Sequence, residues 1–69
     1  MQYEHKIVKQ IDELNEFQIQ KMINSNDFET ILKFKKQAKV KAEQILSAGE
    51  NIYDLDYFLE YVFLPSWEN

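Results

Sequence analysis

The chain of 69 residues has no cysteine, no arginine, one histidine, one glycine and one proline. Without cysteine there is no disulfide framework, no thiolate nucleophile and no cysteine-bound metal, which suits a reducing cytoplasm. The single histidine, His5, with scattered carboxylates does not make up the about four ligands of a zinc site. One glycine cannot build a phosphate-cradling loop, and G-x-S-x-G, Walker and H-E-x-x-H patterns are all absent. No apolar run approaches the ~18 residues of a spanning helix. Met1 leads into polar residues, not into the charged and then apolar regions of an export signal. A cytoplasmic protein with no cofactor, no metal and no membrane partner is therefore expected.

Carboxylate pairs do occur at helical spacing: Asp12 with Glu16, Glu13 with Glu16, and Asp56 with Glu60. Such pairs arise constantly on acidic helix surfaces, and only a concave, desolvated setting would shift them toward acid–base work. No histidine, cysteine or serine constellation accompanies them. The expectation is a protein that is not an enzyme and has no catalytic residues.

What the chain does have is apolar and aromatic bulk. At 45% hydrophobic and 14% aromatic residues it can offset the entropy lost on ordering, so it should fold. The length suits a single small helical domain over residues 1–69, near the size at which one core leaves little net stability and dimerisation is a common remedy. A homodimer is expected on that ground. The net charge of −4 is unevenly placed. Residues 1–32 carry three lysines and six acids, residues 33–46 five lysines and one acid, and the remainder five acids and no base. A basic centre between acidic ends suggests complementary charges on packed segments. Lysine as the only strong base, with frequent Asn, Ile, Phe and Tyr, points by composition to an AT-rich genome such as that of a low-GC bacterium or its phage.

Apolar residues at helical spacing, Tyr3, Ile7, Ile11, Leu14 and Met22, predict one helix over about 3–24. Val8, Ile19 and Ile23 fall off that stripe, so either the apolar face widens or a break near Asn15 re-phases it. Asn15 with Gln18 three residues on could form a capping box there. Asn24, Ser25, Asn26 and Asp27 make a turn, since their side chains compete with the helical ladder. A second helix over about 27–48, capped by Asn26 or Asp27, would cover its partner with Phe28, Ile31, Leu32, Phe34, Ala38, Ala42, Ile45 and Leu46. Gly49 stands where a left-handed C-terminal cap is wanted. The two helices predict an antiparallel hairpin roughly 33 Å long. A shorter third helix over about 52–64, capped by Asn51 or Asp54 and ended by Pro65, completes an all-α fold, either a three-helix bundle or a dimeric helical bundle.

The third helix carries the candidate site. Ile52, Leu55, Phe58, Leu59, Val62 and Phe63 form one apolar arc for a core, while Tyr53, Tyr57 and Tyr61 recur at i, i+4, i+8 on roughly the opposite side, with Asp54, Asp56 and Glu60 between. Tyrosine is rigid, amphipathic and enriched at interfaces, and acids around it favour a basic partner. Trp67, beyond Pro65, would either cover the end of the bundle or anchor a neighbouring chain. The bland reading is a set of tyrosines over a bundle rim with their hydroxyls in water.

Two further readings concern charge. Lys33, Lys36 and Lys41 could serve a dimeric nucleic-acid regulator, but on a helical wheel they scatter over the outer side, arginine is absent and the net field is negative, so nucleic acid is disfavoured. The acidic C-terminal part could instead imitate nucleic-acid charge and block a basic groove. Lys35 and Lys39 lie toward the apolar side and are expected to pair with Asp56 or Glu60. The leading expectation is a small non-catalytic helical module, of the kind phages and low-GC bacteria use as accessory factors, that binds itself or modulates another protein through the tyrosine face.

Overall fold

A computed structural model describes residues 5–67, and all regular structure among them is helical. The start of the first expected helix, at residues 3 and 4, lies outside the described residues. From there the expected helix over 3–24 proves to be two. Helix α1 runs Lys6–Asp12 and α2 runs Glu16–Ile23. The break follows from Asn15, which is extended at φ −91° and ψ 166°. Its Oδ1 accepts from the Gln18 amide at 2.9 Å, and its own amide donates to Gln18 Oε1 at 3.0 Å. Two orphan donors are thus satisfied reciprocally, as in a capping box. Leu14 and Ile19 flank the cap at the positions of a hydrophobic staple, and both belong to the buried core. The break re-phases the apolar stripe, which is why Val8 faces the core with Ile7 and Ile11 in α1 while Ile19 and Ile23 do so in α2. His5 caps α1, its Nδ1 accepting from the Ile7 amide at 3.3 Å.

Asn24 turns the chain in the left-handed region at φ 54°. Helix α3, Phe28–Ser47, is then capped by Asp27, whose Oδ2 accepts from the Thr30 amide at 3.1 Å and the Thr30 hydroxyl at 2.7 Å. At the far end Gly49, φ +89°, donates to Leu46 O and Glu50 donates to Ile45 O. These two bonds make the Schellman closure that a glycine permits. The core stripe of α3 is Ile31, Phe34, Ala38 and Ala42. Phe28 and Leu32, expected on the covered side, are 57% and 50% exposed. They lie on the flank of that stripe, and the broken arm α1–α2 covers only its centre.

The third helix is also altered. A helical run over 55–66, here α4, opens with an α turn Leu55–Tyr57, passes into a π turn Phe58–Phe63 and closes with a 3₁₀ turn Leu64–Ser66. Asp54 is the cap, its Oδ1 accepting from the Asp56 and Tyr57 amides. Pro65 does not end the run, because it sits within the first turn of the 3₁₀ segment, where its missing N–H is not needed. The widened turn upstream has the Leu64 amide donating to Leu59 O, five residues back. Residues five apart become neighbours in such a turn, and the Phe58 and Phe63 rings stack with centroids 6.3 Å apart and planes at 18°.

Helices α1 and α2 both lie on α3, and α4 packs against α1 and α3. The equal-armed hairpin of the sequence reading is thus replaced by a bent arm on one long helix. Phe34, fully buried, is the hub: Phe63 meets its ring edge-on at 5.0 Å and Trp67 at 5.3 Å. Lys35 and Lys39 do find polar partners, but on α1, not α4. Lys35 Nζ donates to the Asp12 carbonyl and Lys39 Nζ pairs with Asp12 Oδ1, each at 3.1 Å. Asp12 ends α1 beside α3, so Lys35 reaches its carbonyl and Lys39 its carboxylate there.

Candidate functional site

The tyrosine row is divided by where α4 begins. Tyr53 precedes the helix and is 89% exposed, its hydroxyl accepting from Asn51 Nδ2 at 3.2 Å. Tyr57 and Tyr61 are on the helix one turn apart, 61% and 65% exposed, with ring centroids 5.0 Å apart and planes tilted by 39°. Two large rings held together and open to solvent form a preordered apolar and hydrogen-bonding surface. Burial of Phe58, Leu59 and Phe63 on the other side of α4 fixes that orientation.

Asp54 is engaged as the helix cap, so its carboxylate supports the Tyr57 turn as well as lending charge to the face. Asp56 and Glu60 are exposed. Trp67 is half-buried, its ring against Phe34 and Phe63, and thus takes its place in the core cluster and not beside Tyr57 and Tyr61.

Two grooves lie between α3 and the chain that follows it, and the first is bounded by Tyr57. The first, about 600 Å³, is walled by Tyr53, Tyr57 and Phe58 on one side and Lys41 and Ile45 of α3 on the other, with Ile52 in the connecting segment. No local pattern points to it, since Ile52 reads as a core residue of a longer helix. It arises because residues 51–54 cross from α3 to α4 without helical structure. The second groove, about 540 Å³, brings together Lys33, Lys36 and Lys41 with Val40 of α3 and Phe63 of α4. On a wheel these lysines spread over the outer side of α3; the end of α4 gathers them into one depression. Lys41 lines both grooves.

Among the described residues no group of three or more His, Cys, Asp or Glu side chains is placed to hold a metal ion. Nor is any described helix long and apolar enough to cross a membrane. Comparison of the chain with protein-family models, with curated proteins and with solved structures finds no match.

Proposed function

We propose that this protein is a non-catalytic helical interaction module that binds another protein chain through the Tyr57–Tyr61 face of α4 and acts by occupancy, as a modulator. The observation that carries the reading is the exposed, paired geometry of those two rings beside an apolar groove, with Asp56 and Glu60 on the same helix. Aromatic anchors next to a pocket are the common form of an interaction hot spot, and the acids favour partners with basic side chains. Two rigid rings lose little conformational freedom on binding, which keeps the entropic cost of association low.

Site-specific photocrosslinking tests this. With p-benzoylphenylalanine at position 57 or 61, illumination in cells should yield a defined protein adduct, either with this chain or with another. The same group at Glu16, exposed on α2, should yield none. Equal labelling at all three positions, or none at 57 and 61, contradicts the reading.

A second reading, nucleic-acid binding, is favoured by the gathering of Lys33, Lys36 and Lys41 in one groove. Phosphate contacts would make such binding fall steeply with salt, whereas a tyrosine-centred protein contact would lose much less. The net charge of −4 works against it.

A further inference from the structure

Among the described residues, most of the lysines of the basic centre are left without an ion pair. Among the described residues the one ion pair is Lys39 with Asp12. Lys33, Lys36 and Lys41 form no ion pair or hydrogen bond with any described residue, although they share a groove. The Asp56 and Glu60 carboxylates, on the helix that walls the same groove, are likewise unpaired among the described residues. One small molecule thus presents a basic groove and an acidic aromatic face with no ion pair between them among the described residues.

The two surfaces are chemically matched. The groove is lined by three lysines together with Val40, which is 47% exposed. The face offers two tyrosine rings and two carboxylates. An ammonium within about 6 Å of a tyrosine ring gains a cation–π attraction, and one beside a carboxylate gains an ion pair. The surfaces also adjoin, because Lys41 lines both the basic groove and the groove bounded by Tyr57. Neighbouring complementary patches are what a two-fold contact requires, since the rotation sets each patch of one copy against the other patch of its partner. We propose that the Tyr57–Tyr61 face, with Asp56 and Glu60, docks into the Lys33/Lys36/Lys41 groove of a second copy of this chain, and that the contact is reciprocal. The inference rests on the protein-binding reading of the tyrosine face and names its partner. A nucleic-acid occupant suits the groove less well, because Val40 and Phe63 add apolar surface to its lining that phosphates do not use.

Charge exchange tests the pairing. Two variants, Lys33→Glu/Lys36→Glu/Lys41→Glu and Asp56→Lys/Glu60→Lys, are studied by sedimentation, with circular dichroism as the check on folding. Wild type should dimerise, and each variant alone should dissociate at least about tenfold more readily. Mixed in equal amounts, the two should form a heterodimer with affinity within about threefold of wild type, since both reversed patches then meet their opposites. The milder Asp56→Asn/Glu60→Gln keeps the test open should a reversal unfold the chain, and it too should weaken the dimer. A monomeric wild type overturns the proposal, as does a dimer indifferent to both reversals or a mixture that fails to reassociate. A monomeric wild type that binds a duplex oligonucleotide, with binding lost in the lysine variant, assigns the groove to nucleic acid and also overturns it. Photocrosslinking at position 57 separates the two failures. An adduct with a different protein retains the interaction reading and removes only the self-pairing, whereas no adduct removes both.

Discussion

At the scale of single residues, Asp27, Gly49 and Asp54 hold the helix ends, each engaging backbone groups that a helix terminus leaves over. Asp27, Gly49 and Asp54 stand where the sequence places caps, because capping depends on three or four consecutive residues. The partner of Lys35 and Lys39 is Asp12, more than twenty residues away, and no local pattern announces it. Lys39 and Asp12 have side chains 33% and 58% exposed, so solvent screens their attraction. A double-mutant cycle with Lys39→Met and Asp12→Ala should give a coupling of about 0.2–1 kcal/mol in urea denaturation. A larger value would mean that the pair is drier than its exposure indicates. Phe34 is the opposite case. Its ring is fully buried between Phe63 and Trp67, and Phe34→Ala should cost about 3–5 kcal/mol. A chain of this length has roughly 3–10 kcal/mol in total, so the variant should be largely unfolded or close to it. A loss below about 1 kcal/mol would remove Phe34 from the hub of the core.

At the scale of elements, the sequence carries both the continuity of the first helix and the signal for its break. Apolar spacing favours one helix, and the capping box at Asn15 divides it once Leu14 and Ile19 are buried on either side. Asn15→Ala should therefore destabilise by about 1 kcal/mol, read as a lower urea midpoint with unchanged slope. If the arm were continuous instead, the same change would stabilise, because alanine is the better helix former. Gly49 has open space where a Cβ would stand, yet its φ of +89° suits glycine alone. Gly49→Ala should cost about 1 kcal/mol through the backbone, with no steric term. The π turn of α4 has no signal in the sequence, where Pro65 reads only as an end to the helix. A wheel drawn at 100° per residue cannot represent a widened turn, although it places Phe58, Leu59 and Phe63 on the correct side. The wheel likewise places Tyr53 on the helix, because it cannot represent the non-helical stretch that runs up to Asp54.

At the scale of the molecule, the all-α class and the acidic aromatic surface of α4 follow from composition and spacing alone. The meeting of Lys33, Lys36 and Lys41 in a groove does not, because it depends on where the end of α4 lies over α3. Complementary charges on packed segments, expected from charge placement, are met among the described residues by Lys39 with Asp12 of the acidic N-terminal part, while Asp56 and Glu60 form no ion pair with the lysines of the groove. The surface of the chain, not its core, thus holds the complementary charges. The most direct measurement is the solution mass by light scattering, at low micromolar concentration and again about tenfold higher, for wild type and for Tyr57→Ser/Tyr61→Ser. The account predicts a wild-type mass approaching twice that of one chain at the higher concentration, and a helical monomer at both concentrations for the variant. A wild type that stays monomeric, or a variant that assembles as wild type does, would contradict it.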